Sequence, residues 1–259
     1  MTGYYGQQAP IGVHSDGWGV RTVARLGFNV EGVALWREAS GTTDADPVQA
    51  AFLAELGGAD LLVCPINDAF HPLAEKDLRL LKALAKVPIN LQVPVSDKTV
   101  PVALAARPAS VTLLPRGKSD ATPHGGLNTS TQAEELGKCI REFRSQAIVV
   151  GCFVEPLVPQ IKGAAALNAD YVELSVQEYA AAPSAEARNE WMEQLKTALL
   201  AAAKMGLGVS LSRGIHYRNA SVLAGIERVE EVHVGRAIIA RSLFVGMEQA
   251  VRDMAALVH

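Results

Sequence analysis

Eight short apolar segments of strand type recur along this chain, and helical stretches separate most of them. They are Leu26–Val30, Leu61–Cys64, Ile89–Val95, Val111–Leu114, Ala147–Phe153, Tyr171–Leu174, Gly208–Leu211 and Glu231–Val234. Several are uninterrupted apolar runs. Strands buried on both faces, as in a parallel sheet covered by helices, have that pattern. Eight βα units within 259 residues is the size of one (β/α)8 barrel, the TIM-barrel architecture of the α/β class. Function in such a barrel gathers at the C-terminal face, on the residues that follow each strand.

The intervening segments carry helix signals. Asp46-Pro47-Val48 reads as an N-cap with proline at the first helical position, opening a helix over Val48–Leu56. Further helices are expected over Ala74–Ala85, Val100–Ala106, Thr129–Phe143 (capped by Ser130 or Thr131), Leu157–Leu167, Glu186–Met205 and Arg218–Ala224. A last helix over Ala237–Val258 closes the chain. Two post-strand loops, Asn67–Pro72 and Pro115–Asn128, are long enough for lids or binding loops. Residues 1–23 lack periodicity and are expected to form a tail or an arm, with the barrel over residues 24–259.

With 49% hydrophobic residues the chain can bury a sizeable core. A formal net charge of −3 argues against a nucleic-acid partner, which needs a basic face. No run of 18 apolar residues is present, so no membrane span is expected. The N-terminus lacks a basic and an apolar leader region. The three scattered cysteines, Cys64, Cys139 and Cys152, suggest a reducing environment, and a cytoplasmic location is expected. No CxxC or HxxxH spacing occurs, so neither a metal site nor a cofactor is expected.

The last two strand ends carry the clearest ligand signal. Ser212-Arg213-Gly214 follows the seventh strand, and Gly235-Arg236 follows the eighth and opens a helix. Loops after strands seven and eight, with a helix N-terminus, commonly build the phosphate site of these barrels. Glycine lets backbone N–H groups approach an anion, and arginine adds a bidentate fork. Turn glycines and surface arginines would account for either segment alone. The pair together points to a phosphorylated or otherwise anionic small molecule.

The stretch Gly27-Phe28-Asn29-Val30, then Leu35-Trp36-Arg37-Glu38-Ala39, Gly41-Thr42 and Asp46-Pro47-Val48-Gln49-Ala50-Ala51-Phe52, resembles the opening of the pyridoxine 5′-phosphate synthase (PdxJ) family. The resemblance continues through Gly58-Ala59-Asp60, Asn90-Leu91, Leu114-Pro115, Gly125-Gly126-Leu127, Tyr171-Val172-Glu173, the Gly214–Asn219 loop and Val234-Gly235. It spans about residues 24–258. It implies a (β/α)8 barrel with extra helices, assembled as a homo-octamer. The implied activity is closure of the pyridine ring of vitamin B6 from 1-deoxy-D-xylulose 5-phosphate and 3-amino-2-oxopropyl phosphate.

The site pattern departs from that family. Its first strand ends Asn-x-Asp-His, where this chain has Asn29-Val30-Glu31-Gly32. Allowing a one-residue gap, its general-base His at the end of strand two corresponds to Cys64, and its strand-three Glu to Gln92. Its two His residues on strands seven and eight correspond to Arg213 and Arg236. Asn29, His71, Thr122, Glu173, Gly214 and Gly235 keep the family identity, and the resemblance implies ligand contacts for them. A glutamine cannot act as a base, and an arginine stays protonated. The resemblance implies a transition-state-stabilising role for Glu173; Cys64 and Glu31 are further candidate catalytic groups, with Asn29, His71, Thr122, Arg213, Gly214, Gly235 and Arg236 as substrate contacts. Three readings stay open: an enzyme of altered chemistry on a related anionic molecule, a non-catalytic paralogue that retains the ligand, or the synthase reaction itself run by substitute residues. Cys64 as an inert buried thiol and Glu31 as a salt-bridge partner are the competing readings of those two residues.

Overall fold

A computed structural model describes residues 23–66, 73–116 and 125–259. Eight parallel strands close into one barrel in sequence order. They are β1 Arg25–Asn29, β2 Leu61–Pro65, β3 Ile89–Pro94, β4 Ser110–Leu114, β5 Val149–Val154, β6 Tyr171–Ser175, β7 Gly208–Ser212 and β8 Glu231–Val234. All eight overlap the segments expected from the sequence. Among the described residues eleven helices surround them: α1 Glu31–Ser40, α2 Pro47–Leu56, α3 Glu75–Leu84, α4 Thr99–Ala106, α5 Ala133–Ser145, α6 Val158–Ala166, α7 Gln177–Ala181, α8 Ala185–Lys204, α9 Ala220–Ala224, α10 Arg236–Val245 and α11 Met247–Val258.

The α2 start follows its sequence signal, with the Asp46 carboxylate accepting from the Val48 amide at 2.8 Å. Three expectations need correction. The closing helix is two helices, because Gly246 adopts φ +80 between α10 and α11. The fourth expected helix begins only at Ala133, since Asn128 Oδ1 accepts from the Ser130 and Thr131 amides and turns the chain there. The fifth strand begins at Val149, after Ala147 at φ +58.

Alternation along the strands divides the molecule into two cores. Hydrogen bonds run across the barrel axis between Asn90, Gln92, Thr112, Tyr171, Glu173 and His233, so these residues face inward. Their alternates, including Leu91, Val93, Val172 and Leu174, pack against the helices in one continuous apolar cluster. The barrel interior is thus mostly polar and the outer layer apolar. Both are buried, and β3, β6, β7 and β8 accordingly alternate polar inward residues with apolar outward ones.

Candidate functional site

Asn29 ends β1, and its Oδ1 accepts from the backbone N–H of Glu31 at 2.9 Å. That bond fixes the turn from β1 into α1 and sets Glu31 at the C-terminal face of the barrel. Burial pushes the Glu31 carboxyl up to about 7, against the opposing pull of Arg213 and Arg236. A buried carboxyl beside two arginines can thus both lose and gain a proton near neutral pH.

Arg213 follows β7 with φ +59, a left-handed conformation that is costly for a residue with a Cβ. Gly214 continues the turn at φ +79. A Cβ on it would lie 2.8 Å from that of Ala180 in α7, so only glycine fits there. The turn brings the Arg213 guanidinium over the Phe153 ring, 4.2 Å from its centroid. Burial lowers the pKa of Arg213, while Glu173, Glu31 and Glu155 support its charge and Arg236 opposes it. Arg236 is the first residue of α10, after Gly235, whose backbone lies against Asn29. Both arginines therefore act electrostatically on the same carboxyl, Glu31.

Glu173 lies deeper, fully buried on β6. Gln92 Nε2 donates to its Oε1 at 2.8 Å, and Thr112 Oγ1 donates to its Oε2 at 3.2 Å. His233 Nδ1 stands 3.0 Å from Oε2. Burial alone would raise this carboxyl, but the His233 charge and the surrounding donors hold it below the ordinary range. Gln92 thus spends its amide on orienting Glu173.

Cys64 requires a correction of placement. In the β2–β3 register Val63 pairs with Asn90 and Pro65 with Gln92, so Val63 and Pro65 share the inward face. Cys64 points the other way, into the apolar cluster beneath the helices. Burial pushes its thiol up to about 12, so it stays neutral. It does not join Glu31 and Glu173. His71 and Thr122 lie outside the described residues.

Sequence reasoning overlooked His233 and Glu231. Both stand inward on β8, two residues apart in Glu-Val-His-Val, and polar residues at period two inside a buried strand were the available signal. Glu155, just after β5, was also overlooked; burial raises its carboxyl, although the Gly126 amide and Arg213 oppose that. Among the described residues no cluster of His, Cys, Asp and Glu is arranged to hold a metal ion. No helix there is long and apolar enough to cross a membrane.

Comparison with known proteins shows the family. The family described as pyridoxal phosphate biosynthesis protein PdxJ matches residues 26–259. The chain is 36% identical over 236 residues to pyridoxine 5′-phosphate synthase of Pelobacter propionicus, covering 91% of this chain and 99% of that protein. It is 37% identical over 241 residues to the same-named protein of Thermosynechococcus vestitus, at 91% and 99% coverage. Among solved structures, phosphoribosylanthranilate isomerase of Thermotoga maritima superposes with a TM-score of 0.57 at 14% identity, over 91% of this chain and 98% of that one. Tryptophan synthase of Mycobacterium tuberculosis does so with 0.59 at 13% identity, over 92% and 93%. These last two likenesses speak to the barrel fold alone.

Proposed function

The chain belongs to the PdxJ family, and from its site we propose an enzyme that acts on a phosphorylated small molecule by chemistry altered from that of pyridoxine 5′-phosphate synthase. One observation carries this reading: a carboxyl poised near pH 7, Glu31, beside Arg213 and Arg236 at the ends of β7 and β8. The relatives' name is that of a synthase with a phosphorylated small molecule as its product, which supports a phosphorylated ligand here.

In this reading Arg213 and Arg236 hold the anionic group, with the Gly214 and Gly235 backbone beside them. Each charge-assisted contact contributes about 1.5–3 kcal/mol. Asn29 fixes the start of α1, so Glu31 can give or take a proton at a substrate atom. Glu173 supplies a fixed negative charge that supports a cationic or proton-donating centre. His71 and Thr122 keep the ligand roles implied by the resemblance. Cys64 has no part, because its thiol faces the helices. Glu31 and Glu173 have pKa values pushed in opposite directions, and that separation divides proton transfer from electrostatic support. A non-catalytic reading draws on Gln92 and Arg213, since neither can act as a general base at neutral pH.

The test joins an assay with a titration. Incubation with 1-deoxy-D-xylulose 5-phosphate and 3-amino-2-oxopropyl phosphate is expected to yield no detectable pyridoxine 5′-phosphate. Turnover within a few-fold of ordinary enzyme rates (about 10 s⁻¹) would refute the altered chemistry. Calorimetric titration with glycerol 3-phosphate is expected to lose roughly ten- to a hundredfold in affinity in Arg213→Ala or Arg236→Ala. Unchanged affinity in both variants would remove the anion grip.

Assembly belongs to the same proposal. Leu243 and Phe244 of α10 are 80% and 87% exposed, and Trp36 of α1 is 67% exposed. Such apolar residues suit contacts between copies of this chain, in line with the octamer implied by the resemblance. Sedimentation at micromolar concentration is expected to show an oligomer, and a monomer alone would overturn this.

A further inference from the structure

Beneath the ligand site runs a ladder of alternating charges that the proposed chemistry does not use directly. Arg25, at the foot of β1, ion-pairs with Glu231. Glu231 Oε2 stands 3.0 Å from His233 Nε2, and His233 Nδ1 stands 3.0 Å from Glu173 Oε2. The side chains of Glu173 and His233 are each 1% exposed and that of Glu231 is 4% exposed, so water does not screen these contacts.

The barrel is shaped around the imidazole. A Cβ at Gly27 on β1 would lie 2.6 Å from His233 Cδ2, so no side chain at that position can coexist with the ring. Val63 of β2 closes the same space, 3.1 Å from that Cβ position. With a carboxylate at each ring nitrogen, a neutral imidazole would donate to one and present a lone pair to the other. Only an imidazolium, with two N–H groups, satisfies both.

We propose that His233 is a positioning residue that holds Glu173 in one ionised orientation beneath Arg213. The proposal rests on the reading of Glu173 as a carboxylate of the ligand site. Glu173 Oε2 receives Thr112 and His233, and Oε1 receives Gln92, so rotation of the carboxylate breaks all three bonds. Without the imidazolium a carboxylate this deeply buried would take up a proton. It would then cease to support the Arg213 guanidinium, whose largest electrostatic support comes from Glu173.

The groups surrounding His233 act in the same direction. Glu173 faces it from β6 and Glu231 from β8, with Arg25 of β1 behind Glu231. Tyr171 of β6 lies in the same interior set, its hydroxyl held by Asn90 and Thr112. Burial alone would lower the imidazole, but the two carboxylates outweigh it and hold the ring protonated well above the usual histidine range.

Nuclear magnetic resonance of the full chain, labelled with ¹⁵N-histidine and ¹³C-glutamate, tests this across pH 5–9. In the parent protein His233 is expected to carry protons on both nitrogens throughout, and Glu173 to stay ionised. In His233→Asn the Glu173 midpoint is expected to rise by about one pH unit or more. A residue that merely fills space would leave that midpoint unmoved. A single N–H on His233 in the parent at pH 7, or an unshifted Glu173 in folded His233→Asn, overturns the proposal. If His233→Asn does not fold, the parent spectrum alone decides. Failure of glycerol 3-phosphate to bind, with this spectral pattern intact, would count against the function reading and leave the role of His233 standing.

Discussion

Glu231→Ala is expected to cost about 3–5 kcal/mol of folding stability, because it removes the shared partner of a buried imidazolium and a half-buried guanidinium. Glu231 is 3% exposed, and it answers both Arg25 and His233. Alanine removes the carboxylate but leaves the guanidinium in place and the ring nitrogen without an acceptor. The loss is a large share of the roughly 5–15 kcal/mol that holds a typical domain together. It should appear as a drop in Tm on the order of 10 °C. Urea unfolding of the two proteins at pH 7 measures it. The control is Glu248→Ala, which breaks an exposed pair with Arg252 on α11 and should cost about 0.5 kcal/mol or less. A loss in Glu231→Ala no larger than in the control would show that the interior charges are not an energetic unit.

Glu31→Gln is expected to stabilise the fold above pH 7 by roughly 3 kcal/mol, while leaving it nearly unchanged near pH 4. The sign follows from the raised carboxyl. Below the ordinary value of 4.5 the group is protonated in the folded and unfolded chains alike. Between 4.5 and about 7 the unfolded chain ionises and the folded chain does not, so stability falls as pH rises. Above about 7 both are ionised and the full penalty remains. Glutamine has no charge to bury and escapes it. The attraction of Arg213 and Arg236 is already contained in the net shift. Urea unfolding at pH 4.5, 6 and 8 traces the difference, and a parent-to-variant gap that does not widen with pH refutes it. The same substitution should abolish any proton transfer that depends on residue 31. A group that weakens the fold and is nonetheless buried beside two cations fits a site held for chemistry.

Much of the barrel was legible because its signals are local. Strands such as β2 and β5 leave apolar runs that need no partner to be recognised, and Asp46-Pro47 announces α2 by capping chemistry alone. Helix α1 gave no such sign, since its cap position is Val30, with no side-chain cap. The break at Gly246 was equally silent. A lone glycine in a helical pattern is often tolerated, and only the backbone at Gly246, with φ +80, marks the stop.

The site divides along the same physical line. Arg213-Gly214 and Gly235-Arg236 stand in sequence beside the strand ends that place them, so the sequence alone pointed to an anion-binding rim. Which face Cys64 occupies could not be read there, because its strand is apolar on both faces and carries no alternation; the pairing of Pro65 with Gln92 decides it. The interior ladder is also a product of closure. Arg25 and Glu231 are 206 positions apart, and His233 and Glu173 are 60 apart. They meet because β1 pairs with β8 to shut the barrel and because inward residues reach across its axis. Strand type and rim residues are properties of short stretches, which the sequence determines by itself. The protonation of Glu31, Glu173 and His233 depends on burial and on distant charges, and only the closed barrel brings those together.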